Sequence, residues 1–252
     1  MTETRHIRQT FHRACGHELR STWQSTQAYK RHCHPQLSIG AILEGQTCCT
    51  VHDREYILTP GDIIVIPAHA PHSCNPVAGQ PRSYHMLYID TDLSLALQVI
   101  RDQTLFNHYL DLGVVENMTA ASLNALLCAL PPSTGRIDKP HSLSQQVQEA
   151  FLSNLTAPPS LDDLARRFSL RKETLIRTFK QDTGLTPGRF LSISRVEYAK
   201  ARLRAGDDLA DVGYQSGFAD QSHFHKTFVS YTAATPRQYA TGRSISDNNQ
   251  DT

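Results

Sequence analysis

Imidazole and thiol side chains are concentrated at one end of this chain. Eleven of 13 histidines and all six cysteines (Cys15, Cys33, Cys48, Cys49, Cys74 and Cys128) lie within the first 157 of 252 residues. Neutral imidazole nitrogen is a ligand for Zn, Fe, Ni and Cu, so this end holds the candidate metal chemistry. The other end carries hydrogen-bonding side chains, several of them cationic. Helical spacing leaves Arg171, Lys172, Glu173, Ile176, Arg177 and Lys180 outward on one segment. It leaves Gln221, Ser222, His223, His225 and Lys226 outward on another. His223 and His225 stand at i and i+2 and point to different sides of a helix, so they make a poor metal pair.

The elements that must position the second group can be read around residues 209–239. Leu209 and Val212 face one way, Gly213 is small enough to let the next helix approach, and Gly217-Phe218 closes the first helix with a left-handed cap. Asp220 is an N-cap for a second helix, whose Phe224 and Phe228 point into a core. Two short helices at a steep angle, the second presenting polar side chains, form a helix-turn-helix. The unit occurs twice. Leu161, Leu164 and Ala165 precede Leu209, Val212 and Gly213 by 209 − 161 = 48 residues. Leu175, Thr178, Phe179, Thr186, Pro187 and Phe190 precede Phe224, Thr227, Phe228, Thr235, Pro236 and Tyr239 by 224 − 175 = 49 residues. One extra residue in the second turn accounts for the slip. Ser160, three before Asp163, starts the first copy. Between the copies, Pro187–Ala205 reads as a helix with Pro at N1. It buries Leu191, Ile193, Val196, Ala199 and Leu203 and is about 28 Å long.

Residues from about 158 to 241 resemble the DNA-binding domain of the AraC/XylS family of bacterial transcription regulators. The matching residues are Gly217-Phe218, Ser222, Phe224, Phe228, Thr235-Pro236 and Tyr239, and in the first copy Leu164-Ala165, Leu175, Phe179, Lys180, Gly184, Thr186-Pro187 and Phe190. Two positions depart from the family: Gly213 replaces an alanine, and Ala234 replaces the glycine before Thr235-Pro236. The resemblance implies that Glu173, Ile176 and Arg177 approach base edges, with Arg177 suited to guanine. It implies that Arg171, Lys172, Lys180 and Ser222 meet phosphates and that Gln221, His223, His225 and Lys226 read bases in the second copy. The central helix would hold the two reading helices near one DNA turn apart, roughly 34 Å.

The first 92 residues read as short strands separated by turns. Leu37–Leu43, Thr47–His52, Glu55–Leu58, Ile63–Ile66 and Tyr84–Ile89 are the clearest, with weaker strands near Leu19–Thr22 and Tyr29. Two segments resemble cupin motifs: His32-Cys33-His34 followed by a strand and Gly45, and Gly61-Asp62 followed by Ile66-Pro67 and Pro71-His72. A cupin barrel is also usual as the sensor of this regulator family. The expected fold is therefore α+β: a cupin-like β-barrel, or jelly roll, over 1–92 and helices in a dimerisation or linker segment over 93–157. A double helix-turn-helix domain then spans 158–243, and a disordered tail 244–252. Helices are expected over 93–111, 118–130 and 142–155, with a break at 131–140. They either carry a dimer contact or only cap the barrel.

The cupin resemblance implies an effector pocket at His32, His34, His72, Cys74 and His85, with His32, His34 and His72 as metal ligands. The family's glutamate is absent, since Ser38 and Ile39 occupy its place. A divalent transition metal, a metal-free pocket for a small organic effector, and plain structural histidines remain open.

Net charge hides an asymmetry: residues 158–243 carry 14 Lys+Arg against 9 Asp+Glu, residues 1–157 carry 11 against 13. The polar N-terminus has no secretory leader and no 18-residue apolar run exists, so a cytoplasmic protein with reduced cysteines is expected. The expected partners are double-stranded DNA, a small-molecule effector, RNA polymerase and a second copy of the chain. The reading is a ligand-controlled transcription regulator, not an enzyme; the alternative is a metal-dependent cupin enzyme, of dioxygenase or isomerase type, carrying a DNA-binding module.

Overall fold

The computed structural model describes residues 8–51, 54–93, 95–113, 117–132 and 142–242. They fall into two compact units. Of the described residues, one unit takes those within 8–28 and 34–132, and the other those within 29–33 and 142–241.

The first unit is built on two antiparallel sheets. β1 (Arg8–Ala14), β2 (His17–Ser25), β8 (Arg82–Ile89), β3 (Leu37–Glu44), β6 (Ile63–Ile66) and β9 (Gln98–Ile100) lie side by side in that order. β5 (Arg54–Leu58), β4 (Thr47–Val51) and β7 (His72–Pro76) form the smaller sheet. Turn chemistry sets the hairpins. Cys15 and Gly16 both take positive φ (52° and 79°) and join Ala14 to its partner His17. The Asp62 carboxylate accepts from the Thr59 amide at 2.8 Å and closes the turn before β6.

β3 and β6 are buried on both faces, which is why they read as continuous apolar runs. Leu37, Ile39, Ala41, Ile63, Val65, Leu87 and Ile89 face α1 (Gln103–Asp111) and α2 (Ala120–Ala129), meeting Leu105, Phe106, Tyr109, Leu123 and Leu126. The Tyr109 hydroxyl donates to the Ile39 carbonyl at 2.7 Å. The alternate residues Ile42, Ile64, Ile66, Tyr84, Met86 and Tyr88 face Cys49, Val51 and Leu58 of the smaller sheet.

This architecture overturns the cupin expectation. Among the described residues no ladder joins the two sheets; β1 and β9 end the larger sheet, β5 and β7 the smaller. The unit is a two-sheet layer under helices, not a closed barrel or jelly roll. Gly-Asp and Pro-His turns specify where strands stop, whereas closure depends on nonlocal pairing of edges. Two local expectations also change. Tyr29 is not in a strand, and Gln98–Ile100 pairs with β6 instead of joining a helix over 93–111. Helix begins only after Asp102, whose carboxylate caps the Leu105 amide at 2.9 Å.

The second unit is helical. Its elements are α3 (Ser142–Leu152), α4 (Leu161–Arg167), α5 (Lys172–Thr183), α6 (Pro187–Arg204), α7 (Leu209–Gln215), α8 (Gln221–Thr232) and α9 (Pro236–Thr241). α6 is its spine and touches α3, α5, α7, α8 and α9. The segment 133–140 of the expected break, and the tail 244–252, lie outside the described residues.

Candidate nucleic-acid interface and effector site

The two helical copies repeat, down to the hydrogen bonds that end each reading helix. Four residues (168–171) separate α4 from α5, and five (216–220) separate α7 from α8. In the first turn Ser169 takes the left-handed position (φ 55°) that Gly217 takes in the second (φ 83°), 48 residues on. A Cβ on Gly217 would strike the Leu155 carbonyl, which accepts from Arg195 Nε at 2.9 Å. Val147 and Phe151 of α3 pack with Leu164, Ala165, Leu175, Phe179 and Phe190, so α3 completes the core of the first copy.

At the far end of each reading helix the threonines do equivalent work. Thr183 Oγ1 donates towards the Phe179 and Leu185 carbonyls (2.7 and 3.1 Å) and faces the Leu185 amide. Thr232 Oγ1 does the same with Phe228 and Ala234 (2.8 and 2.9 Å) and the Ala234 amide. The left-handed C-cap is Gly184 in the first copy (φ 69°) and Ala233 in the second (φ 57°). The glycine replacement therefore falls on Ala233, not Ala234. Thr186 and Thr235 then cap α6 and α9 by accepting from the Arg189 and Gln238 amides.

These cores fix the outward faces of α5 and α8. Leu175, Phe179, Phe224 and Phe228 are buried, while Arg171, Glu173, Arg177 and Lys180 are exposed and Lys172 and Ile176 half-buried. Lys172 pairs with Asp162 at 2.8 Å, which raises its pKa. On α8, Gln221, Ser222, His223, His225 and Lys226 are all exposed. Gln221 already donates to the Ala210 carbonyl at 2.6 Å, and His223 sits edge-on to Phe218 with ring centroids 5.4 Å apart.

In the first unit, His34 and His72 lie with ring centroids 5.3 Å apart, and His34 is edge-on to Tyr88 at 4.9 Å. His32, the third expected ligand, belongs to the second unit, whereas His34 and His72 both belong to the first. His72 Nδ1 is 2.8 Å from the Ala70 carbonyl and His32 Nδ1 is 2.6 Å from the Lys30 carbonyl. A carbonyl only accepts, so both Nδ1 atoms carry the proton and both Nε2 atoms carry the lone pair. This is the tautomer that metal-ligating histidines adopt. Within the first unit, His34 and His72 offer two imidazole nitrogens that could ligate a transition metal.

Of the other expected pocket residues, Cys74 packs against the core that holds Tyr88, and His85 lies apart. His85 faces away from Tyr84 and Met86, beside Trp23 (6.1 Å), and burial pushes its pKa down to about 4. Cys74 Sγ lies 2.7 Å from Cys49 Sγ. Cys33 packs with Leu185 and Ile193, where burial and Glu197 push its thiol up to about 12.

Sequence reasoning missed Arg20 and Arg82. Both are buried; Arg20 donates to the Tyr84 hydroxyl at 2.7 Å, and Arg82 donates to the Cys74 carbonyl at 2.9 Å.

A repeated helix-turn-helix with two exposed polar helices, in a chain that also carries a two-sheet ligand-binding unit, defines a DNA-binding transcription regulator. Residues 164–242 match the description "Helix-turn-helix domain", and residues 14–155 match "AraC-like ligand binding domain". The chain belongs to the AraC/XylS family. It is 26% identical over 224 residues to the "Uncharacterized HTH-type transcriptional regulator YbfI" of Bacillus subtilis, covering 78% of this chain and 82% of that protein. It is 40% identical over 88 residues to the "HTH-type transcriptional activator RhaS" of Escherichia fergusonii, covering 34% of this chain and 32% of that protein. The chain thus spans about a third of RhaS. The fold is similar to ToxT from Vibrio cholerae, with a TM-score of 0.58 at 13% identity over 90% of this chain and 98% of that one. A second ToxT structure, described as bound to an unsaturated fatty acid, gives 0.57 at 13% identity over 93% and 94%. YbfI and RhaS are regulators by description, and the chain is a regulator, not an enzyme. No helix among the described residues is long and apolar enough to cross a membrane.

Proposed function

We propose that this regulator reads two successive major grooves with α5 and α8, through a DNA-binding domain over 158–243. The observation that carries the reading is the repeated helix-turn-helix, whose reading helices end on the same Thr183 and Thr232 hydrogen bonds and both expose polar side chains. Arg177 pairs with guanine, Glu173 accepts from cytosine N4 and Ile176 meets a thymine methyl. Gln221, His223, His225 and Lys226 read the second groove, while Arg171, Lys172, Lys180 and Ser222 hold phosphates. Binding-site selection from random duplexes tests this. Two short boxes about one helical turn apart are expected; a single box overturns the two-groove reading.

The ligand-binding unit responds to a small molecule or a metal at His34 and His72. His34 and His72 would hold a divalent transition metal, which would supply Lewis-acid coordination to an effector's donor atoms. The fatty acid bound to ToxT supports an organic ligand for a protein of this fold. Metal content by plasma mass spectrometry, before and after adding metal back, decides the point. Stoichiometric metal lost in His72→Ala supports a metal-assisted sensor; no metal in either protein makes the effector organic alone. The reading extends to a homodimer that contacts RNA polymerase. Sedimentation velocity tests the dimer, with a monomer at micromolar concentration as the contrary result.

A further inference from the structure

Cys49 and Cys74 are directly opposed across β4 and β7. Directly opposite residues in an antiparallel pair have Cα atoms about 4.5–5.5 Å apart, inside the roughly 4.4–6.8 Å window of a disulfide. Their sulfurs lie 2.7 Å apart, and both residues are thiols in the structure. They differ in access. Cys49 is sealed at 0% exposure between the sheets, whereas Cys74 is only partly buried. The other cysteines are placed differently: Cys48 faces the opposite side of β4, Cys15 and Cys128 are exposed, and Cys33 belongs to a separate core.

We propose that Cys49 and Cys74 form a reversible dithiol–disulfide site oxidised by a hydroperoxide. The Cys74 sulfur attacks the outer oxygen of the peroxide, the O–O bond breaks, and Cys74 becomes a sulfenic acid as water leaves. The Cys49 sulfur then attacks the Cys74 sulfur; the S–S bond forms, the S–O bond breaks, and a second water carries away the hydroxyl and the Cys49 proton. Two electrons pass from the thiols to one hydrogen peroxide. The adjacent sulfur captures the sulfenic acid before further oxidation, which is what keeps the step reversible. The product ties β7, the strand that opens on His72, to the centre of the smaller sheet.

The test uses the full chain, reduced, treated with hydrogen peroxide, alkylated and digested with trypsin. A link between peptide 32–54 and peptide 55–82 is expected, and thiol reductant should reverse it. The link should persist in Cys33→Ser and Cys48→Ser and vanish in Cys49→Ser. Differential alkylation of the unaltered protein gives the same answer if Cys49→Ser does not fold. Full alkylation of Cys49 and Cys74 after oxidation of Cys15 and Cys128 would overturn the proposal, as would a link through Cys48 or irreversible oxidation of Cys74.

Discussion

The Phe228 ring meets the Tyr239 ring edge-on, with centroids 5.6 Å apart and planes at 69°. Forty-nine residues earlier, Phe179 and Phe190 meet at 5.8 Å and 70°. Each pair locks a reading helix to the helix that follows it, and Phe179 and Phe228 are essentially unexposed. Phe228→Ala should therefore cost about 3–5 kcal/mol, through lost transfer energy and a cavity. Urea unfolding followed by circular dichroism measures it; a loss below about 1 kcal/mol would mean that the second core does not depend on this contact.

Ala233 holds a left-handed C-cap that the first copy gives to Gly184. An L side chain there costs about 1–2 kcal/mol relative to glycine. Ala233→Gly should stabilise the protein by about 1 kcal/mol, less the backbone entropy that glycine adds to the unfolded chain. The expected readout is a higher denaturation midpoint with an unchanged slope. A lower midpoint would show that the cap is not strained.

Arg177 is exposed on α5 and takes no part in the core. Arg177→Ala should leave the melting temperature unchanged and weaken binding to the selected duplex by about 1–3 kcal/mol, relaxing preference at one position. Lys180→Ala should weaken binding to all sequences alike and reduce the salt slope by about 1. Fluorescence anisotropy across a salt series separates the two. Equal behaviour of the variants would remove the distinction between base and phosphate roles.

Burial holds His85 neutral, with a pKa of about 4 against an ordinary 6.5. The unfolded chain therefore binds a proton that the folded chain refuses between these values, and stability falls as pH drops from about 6.5 towards 4. His69 shifts in the same direction for the same reason. His85 alone contributes up to about 3 kcal/mol of this loss. His85→Leu should flatten the stability profile over that window while leaving it unchanged at pH 8. An identical slope in variant and parent would show that His85 does not couple folding to protons.

The helical half was legible from residue types because its information is local and doubled. Caps, turns and i, i+4 aromatic pairs lie within a few residues of one another, and two copies 48–49 residues apart report the same buried positions. The same 49-residue offset places Gly184 opposite Ala233 and not Ala234, and the left-handed φ of Ala233 agrees. In the strand half, alternation and turn chemistry marked most strands but not their partners. The cupin-like barrel failed there, since closure is decided by which edges pair over long sequence distances. The same limit applied to the candidate site. That His85 turns away from Tyr84 and Met86, and that Cys49 opposes Cys74, follows from register between strands. Register is set by side chains packing simultaneously on both faces of the sheet, and only the tertiary structure resolves that choice.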